Sequence, residues 1–362
     1  MSGKSKTRLT IGRLWARYAL SLKYAARKNK PLLLWRTLKD YLRLLLTGRP
    51  PLRYVDLAVT YNCNLNCIHC SASRMAEPAR RTMTVEDYAA LGEQLADSGV
   101  LVVQLTGGEP SLHPQIEEII RVLKPSRFFM SMGTNASHMT RERIERLKRA
   151  GLDNLCVSID DGDPAEHDRW RGAPGLHARA LETIDAAIEA GLAAMIFTVV
   201  SHQNVRSNSF LKLVEYTRRK NILLLVGWAV PVGNWNGKED ILLTAEDLEY
   251  LEEIHKEHLH VRTDFESNYY RWGCGAAKEK LYITPYGDVI PCAFVHVRLG
   301  NVFEKPLAEI RRTALKIPWF ARYNGLCLAA NDREFQRLHL SRVWAAAKEP
   351  ITMREAGFDV DE

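Results

Sequence analysis

Six short apolar segments alternate with helical stretches between residues 54 and 230, and this alternation constrains the fold more than any other feature. The segments, among them Tyr54–Thr60, Leu101–Thr106 and Ala194–Val200, are rich in β-branched residues and almost continuously apolar. Strands of a parallel sheet have this composition, because helices pack against the sheet and bury it. We therefore predict an α/β fold with a parallel sheet that is open or curled toward a barrel.

The charge of the chain is concentrated at its N-terminus. Residues 1–53 contain fourteen Lys or Arg and one acid, Asp40, giving +13, whereas the remaining residues carry a net −6. This extension is predicted to form two amphipathic helices that are broken near Lys28–Pro31. Their apolar stripes either pack on the barrel or lie in a membrane interface, and we expect residues 1–48 to contact an anionic membrane peripherally. The acidic body disfavours a nucleic-acid partner, and none is expected.

No apolar segment approaches the roughly 18 residues that a membrane span needs. The N-terminus also lacks the apolar core and the small-residue cleavage site of a signal peptide. We therefore expect a cytoplasmic protein. It is either free in the cytoplasm or bound peripherally to the inner face of the membrane.

Composition and pattern divide the chain into five parts. They are a basic helical extension (1–53), a barrel (54–245), a connecting helix and linker (246–272), a small α+β cap (273–344) and a loose tail (345–362). The cap is predicted to begin with a β-hairpin that turns at Gly287.

Three of the seven cysteines follow the first predicted strand, in the order Cys63-x3-Cys67-x2-Cys70. Sites in parallel sheets form at the carboxyl ends of the strands, where this loop lies. Three thiolates at this spacing can surround one metal centre. A structural zinc ion would require a fourth protein ligand, whereas an iron–sulfur cubane held by three thiolates leaves one iron open. Iron–sulfur is the favoured interpretation and zinc is the alternative.

Further motifs stand at the ends of the next three strands: Thr106–Pro110 (TGGEP), Gly133–Asn135 (GTN) and Ser158–Asp160 (SID). Together with the cysteine loop, this series resembles the radical S-adenosylmethionine (SAM) superfamily. The resemblance implies a partial (β/α)6 TIM-like barrel with a C-terminal cap. It also implies SAM, an external electron donor such as flavodoxin or ferredoxin, and a 4Fe–4S cluster on Cys63, Cys67 and Cys70.

The same resemblance assigns the residues that bind SAM. Gly107, Gly108 and Glu109 would hold the amino group of its methionine, and glycines suit this role because they let the backbone approach a ligand closely. Asn135 and Ser158 face the same rim and are assigned to the ribose, with ordinary strand-end capping as the alternative.

A second cysteine pattern, Cys274-x12-Gly287-x4-Cys292, occupies the predicted cap. With the following Leu299–Val302 segment (LGNV), it resembles the SPASM or twitch domain of many radical SAM enzymes. The resemblance implies an auxiliary iron–sulfur cluster on Cys274, Cys292 and Cys327.

The cap departs from the full SPASM pattern because the chain contains no cysteine after Cys327. We therefore expect at most one auxiliary cluster, whose fourth ligand is Asp332, Glu334, His339, water or the substrate. Ala293 occupies the position where sulfatase-maturing relatives carry a catalytic Asp, so that activity is not expected.

The resemblance implies a radical SAM enzyme that cleaves SAM reductively to a 5′-deoxyadenosyl radical and abstracts a substrate hydrogen. The outcome would be an oxidative or coupling modification in a biosynthetic pathway, on a peptide (ribosomal peptide maturation) or on a lipid- or sugar-type metabolite. A non-enzymatic metal-binding protein is one alternative, although it would not need Gly107–Pro110. An RNA-modifying radical SAM enzyme is another, which the acidic body disfavours.

Overall fold

The structure is a computed structural model that describes residues 30–48, 50–263 and 273–359. The first of the two helices predicted in the basic extension falls within residues 1–29, outside the described part of the chain. Residues 264–272 of the predicted linker also lie outside it.

A ten-stranded sheet forms the framework, and its first six strands are parallel neighbours in sequence order. These strands are β1 (Tyr54–Thr60), β2 (Val102–Gly107), β3 (Phe129–Thr134), β4 (Asn154–Ser158), β5 (Ala193–Val200) and β6 (Leu223–Trp228). The predicted parallel α/β fold is confirmed. A short seventh strand, β7 (Val261–Thr263), pairs in parallel with β6 and was not predicted.

One helix, α1 (Pro31–Thr47), precedes the first strand. The helices that connect the strands pack on the outer face of the sheet and bury side chains such as Ile119, Ile184 and Leu213. They are α2 (Val85–Asp97), α3 (Ile116–Val122), α4 (Arg141–Ala150), α5 (Pro164–Arg171), α6 (Leu176–Glu189), α7 (Asn208–Lys220) and α8 (Ala245–Glu257). Thr84 and Asp87 form a reciprocal capping box at the start of α2. Helix α5 was not predicted, because its eight mostly polar residues show no apolar stripe.

The C-terminal hairpin continues the sheet of the barrel. Strand β8 (Lys280–Ile283) is antiparallel to β9 (Asp288–Ile290), with Gly287 at a positive φ of 80° in the turn. Strand β8 also pairs in parallel with β1, so that Tyr54 lies opposite Lys280. The cap is therefore hydrogen-bonded directly into the barrel sheet.

The remaining cap elements are short and follow the hairpin. They are β10 (Val297–Arg298), β11 (Gly300–Asn301), α9 (Leu307–Ala314), α10 (Pro318–Ala321), α11 (Arg333–Phe335), a π-helical turn (Gln336–Leu340), α12 (Ser341–Ala345) and β12 (Ile351–Thr352).

The prediction of a loose tail is wrong for residues 345–359, which pack against the cap. Strand β12 pairs with β10. The buried Glu349 carboxylate contacts His296 Nδ1 at 2.6 Å and the Arg74 guanidinium at 2.9 Å. The Phe358 ring stacks on His339 with 4.1 Å between ring centroids. The apolar residues of this segment are spaced without a helical or strand period, so its packing leaves no pattern in the sequence.

Helix α1 closes the bottom of the barrel, where the amino ends of the strands lie. Its Leu33 and Leu44 side chains are buried against Leu101, and Phe129 packs beside them. The Arg36 guanidinium donates hydrogen bonds to three main-chain carbonyls, those of Ala96, Val100 and Arg127. One apolar face of this helix therefore packs on the barrel, which was one of the two alternatives predicted for it.

Candidate active site

One cavity of about 320 Å³ extends from the carboxyl ends of the strands into the barrel. Every residue that the sequence assigns to SAM or to a cluster cysteine set lines it: Cys63, Cys67, Cys70, Gly107, Gly108, Glu109, Asn135, Ser158, Cys274, Cys292 and Cys327. The two cysteine sets, more than two hundred residues apart in the chain, thus face the same space.

The loop that carries the first cysteine set is held against the end of β2 by main-chain hydrogen bonds. Gly108 N donates to Thr60 O at 2.7 Å, and Glu109 N donates to Asn62 O at 2.9 Å. A Cβ at Gly107 would lie 1.9 Å from Thr60 O, and one at Gly108 would lie 2.3 Å from Asn62 O. Only glycine permits this approach, so the two glycines position the cysteine loop.

We expect Gly108→Ala to lower iron incorporation by at least about half and to destabilise the protein by about 1–3 kcal/mol, the usual effect of overpacking. Gly325→Ala is the matched control, because a Cβ there meets nothing within 4 Å. Iron per chain and thermal unfolding of both variants check this. Equal iron content in the two variants would contradict it.

The other side of the cysteine loop is held by the segment after β6. Asn234 N donates to Cys70 O at 3.0 Å, and Asn234 Nδ2 donates to Cys67 O at 2.7 Å. A Cβ at Gly233 would lie 2.0 Å from Cys70 O. The loop is thus clamped from two directions, which fixes where its thiols point.

The carboxylate of Glu109 is buried and joins the ends of β2 and β3. Its Oε1 accepts hydrogen bonds from Ser111 N at 3.1 Å and Thr134 Oγ1 at 2.9 Å, and its Oε2 accepts one from Asn135 N at 2.7 Å. These contacts show that Glu109 sets the relative position of the two strand ends.

The two residues assigned to the ribose differ in their surroundings. Asn135 Nδ2 lies 3.2 Å from Asn64 Oδ1 and 3.8 Å from Cys63 Sγ, and its Oδ1 accepts a hydrogen bond from Ser137 N at 2.9 Å. The half-buried Ser158 hydroxyl lines the cavity without a hydrogen bond to any residue in the described ranges. Ser158 is therefore the side chain open to a ligand, whereas Asn135 braces the cysteine loop.

A buried cation lies beside the first cysteine set. Arg171 Nε contacts Asp160 Oδ2 at 2.6 Å, and Arg171 Nη1 donates to Cys67 Sγ at 3.8 Å. Burial alone would raise the pKa of Asp160, but the Arg171 guanidinium outweighs it and holds that pKa at about 2. The pair therefore stays ionised and keeps a positive charge at the Cys67 sulfur. The sequence motifs give Arg171 no role.

His69 lies between two tryptophan rings, with centroids 5.5 Å from Trp170 and 5.7 Å from Trp235. Burial lowers the pKa of His69 to about 4, so the ring is neutral at physiological pH. The position of His69 before Cys70 favours a packed aromatic ring over a metal ligand, and its contacts with the two tryptophans agree with this.

The second cysteine set is brought together from three segments by main-chain hydrogen bonds between them. Cys274 N donates to Asn324 O at 2.8 Å, next to the Cys327 segment, and Ala277 N donates to Pro291 O at 3.0 Å, next to Cys292. Burial raises the pKa of each thiol, that of Cys292 to about 12, so a metal must displace the protons for these sulfurs to ionise. Three thiols that ionise only on binding a metal fit the ligands of a buried iron–sulfur cluster.

Within residues 30–48, 50–263 and 273–359, no three His, Cys, Asp or Glu side chains stand close enough to hold a single metal ion. The ligands of one zinc ion all lie about 2.0–2.3 Å from it. A cubane is larger than an ion, and thiols that stand further apart are compatible with it.

The side chains considered as a fourth auxiliary ligand do not line the cavity. Asp332 Oδ1 accepts a hydrogen bond from Phe335 N at 3.0 Å, and His339 Nδ1 lies 2.9 Å from Ala356 O. Glu334 is exposed. Ala293 does line the cavity, so this wall has a methyl group where sulfatase-maturing relatives carry a carboxylate.

Cys156 lies in the barrel interior and lines the cavity beside Ser158. Its apolar neighbours in the sequence favour a thiol packed in the core. The thiol is buried, as this interpretation predicts. Strand alternation places it on the inner face of β4, because Leu155, Val157 and Ile159 fill the helix-facing side.

Comparison with known protein families agrees with this geometry. A model described as the radical SAM superfamily matches residues 57–214. The chain contains a radical SAM domain over these residues. A second model, SPASM, described as an iron–sulfur cluster-binding domain, matches residues 274–329. A radical SAM domain uses a 4Fe–4S cluster and SAM, and a SPASM domain adds an auxiliary iron–sulfur cluster.

The relatives of this radical SAM protein carry out different reactions. It is 27% identical to an AdoMet-dependent heme synthase of Nitratidesulfovibrio vulgaris, over 81% of this chain and 86% of that protein. It is 27% identical to the antilisterial bacteriocin subtilosin biosynthesis protein AlbA of Bacillus subtilis, over 72% of this chain and 60% of that one. Its fold is similar to that of Streptococcus suis SuiB bound to the precursor peptide SuiA, with a TM-score of 0.60, 19% identity, and coverage of 80% of this chain and 70% of that one.

Proposed function

We propose that the protein is a radical SAM enzyme that carries out an oxidative or coupling modification of a substrate bound between its two cysteine sets. The single cavity lined by both sets carries this proposal. When bound, the cluster and SAM supply a 5′-deoxyadenosyl radical that takes a hydrogen atom from the substrate.

The residues of the first set and its surroundings have distinct tasks. Cys63, Cys67 and Cys70 hold the cluster, with the Arg171 charge at the Cys67 sulfur. Gly107 and Gly108 keep the end of β2 against the cysteine loop, and their backbone lines the space where the methionine amino group binds. The Ser158 hydroxyl lines the cavity and would hydrogen-bond the ribose of SAM. An external electron donor such as flavodoxin or ferredoxin supplies the reducing electron.

The second set serves oxidation. Removal of a hydrogen atom leaves a substrate radical, and a net two-electron oxidation requires an acceptor for the remaining electron. Cys274, Cys292 and Cys327 lie on a wall of the same cavity and would hold that acceptor. This cluster has two alternative roles. It could orient the substrate, or it could serve only to stabilise the cap.

A peptide is the favoured substrate. Two similar proteins support this, one named for the biosynthesis of the bacteriocin subtilosin and one solved with a precursor peptide. A small metabolite is the second candidate, because the heme synthase similarity extends over 86% of that enzyme. A lipid- or sugar-type metabolite belongs to the same second class.

Anaerobic reconstitution tests the proposal. Protein incubated with SAM and dithionite should form 5′-deoxyadenosine and methionine in equal amounts by liquid chromatography and mass spectrometry. Addition of peptides encoded by neighbouring genes should yield a product lighter by two hydrogens. Tetrapyrrole precursors of heme are assayed in parallel, and a heme spectrum would favour the second candidate. Full iron content with no 5′-deoxyadenosine under any condition would indicate a non-enzymatic metal protein instead.

A further inference from the structure

The outward face of α1 is the most apolar exposed surface among the described residues. Six of its large apolar side chains have exposed fractions of 45% to 85%: Leu32, Trp35, Leu38, Leu42, Leu45 and Leu46. Only seven other large apolar side chains in the described ranges are comparably exposed, and they are scattered. A concentration of this kind marks a contact surface.

This outward face is separate from the face that closes the barrel. Leu33 and Leu44 are buried against the sheet, whereas Trp35, Leu38 and Leu42 follow one another at spacings of three and four residues on the exposed side. The helix therefore carries two apolar faces, and packing on the barrel accounts for one of them.

Charge identifies the occupant of the outward face. Lys39 and Arg43 are exposed on the same helix, and its single acid, Asp40, is buried. The preceding residues 1–29 contain eight Lys or Arg and no acid. Either that segment or the basic extension of a second copy would bring further positive charge to a positive surface. An anionic lipid surface offers apolar burial and opposite charge together.

We propose that the outward face of α1, formed by Trp35, Leu38, Leu42, Leu45 and Leu46, lies in the interface of an anionic lipid bilayer. No helix in the described part of the chain is long and apolar enough to cross a membrane. A helix bound through one apolar face lies parallel to the membrane plane, and Lys39 and Arg43 would then contact the lipid headgroups. The inference goes beyond the proposed function and does not rest on it.

The position of α1 fixes the orientation of the bound protein. The helix packs at the amino ends of β2 and β3, whereas the first cysteine set follows the carboxyl end of β1. Strands of this length span about 20 Å, at roughly 3.3 Å per residue. The first cysteine set is therefore held away from the lipid. The second set lies toward the opposite end of the strands, because Cys292 follows β9 near Lys280, which pairs with the first residue of β1.

Vesicle co-sedimentation of the full chain tests the inference. Vesicles of phosphatidylglycerol and phosphatidylcholine should retain the wild-type protein at low salt, at least about tenfold more strongly than phosphatidylcholine vesicles, and less strongly at high salt. Leu38→Glu/Leu45→Glu should abolish most of this binding. Ile188→Glu/Leu211→Glu changes two comparably exposed residues on α6 and α7 and should retain it. Thermal unfolding shows that each variant is folded.

Several results would overturn the proposal. Wild-type protein that binds neither vesicle, or the two double variants losing binding equally, would remove the lipid as the occupant. A wild-type dimer in solution that Leu38→Glu/Leu45→Glu converts to a monomer, without vesicle binding, would assign the face to a second copy. A single-Trp variant that retains Trp35 gives an independent readout. Its fluorescence should shift to the blue and be quenched by brominated lipid, and an unchanged spectrum would contradict insertion.

Discussion

Replacement of Cys63, Cys67 and Cys70 together by Ala is expected to abolish 5′-deoxyadenosine formation and to remove about half of the bound iron. The clamped loop presents these thiols to the cavity shared with Gly107, Gly108 and Ser158. Without three thiolates no cubane with an open iron can form, so SAM has no metal to chelate. Iron analysis and product quantification under dithionite check this.

Cys156→Ala is the control for this variant. It removes a thiol that lines the same cavity but belongs to neither set, and it should keep the full iron content. If the triple variant still cleaves SAM reductively, the assignment of the first set is wrong. If the Cys156→Ala variant also loses half of its iron, iron content does not distinguish the cluster ligands from the other cysteines.

Replacement of Cys274, Cys292 and Cys327 by Ala is expected to leave about four irons per chain, those of the first set. Product formation should fall to background, because the substrate radical then lacks an electron acceptor in the cavity. SAM cleavage should continue at a measurable rate, since Gly108, Glu109 and Asn234, which hold the first cysteine loop, all lie outside the cap.

The two triple variants should thus be complementary in their iron content. Mössbauer or electron paramagnetic resonance spectra of each should show one cluster, with different signals. Iron at the wild-type level in the Cys274/Cys292/Cys327 variant would contradict an auxiliary cluster on these residues. Unchanged product formation with the iron lost would assign this cluster a structural role.

The parallel barrel could be predicted because local signals agreed with the final fold. Strand β1 matches its predicted bounds, and the Thr84 capping box was visible as a Thr followed three residues later by Asp. The pairing of β8 with β1 could not be predicted, because the two strands are separated by the whole barrel and pairing depends on where the barrel leaves an edge. The packing of the segment after residue 345 was not predicted. Its buried apolar residues stand singly among charged ones, so the sequence shows neither a helical nor a strand periodicity there.

The site residues were predicted through motifs, and their detailed roles required the structure. Spacing alone singled out Cys63, Cys67 and Cys70, since three thiols clustered within eight residues of a strand-end loop are typical of a metal centre. The engagement of Glu109 with Thr134 and Asn135, by contrast, joins residues from different strand ends and depends on the sheet register. The Arg171–Asp160 pair was missed for a similar reason: Asp160 precedes, and Arg171 ends, a short polar helix that the sequence did not reveal.

The pairing of β8 with β1 has a consequence for biosynthesis. When β1 leaves the ribosome, β2 can cover one of its edges, but the partner for the other edge begins at Lys280. At the usual elongation rate of 5–20 residues per second, that edge stays open for roughly 10 to 45 s. Open strand edges recruit other chains. The nascent barrel therefore depends on chaperone protection until its last quarter is translated, and a chain truncated before the cap should be prone to aggregation.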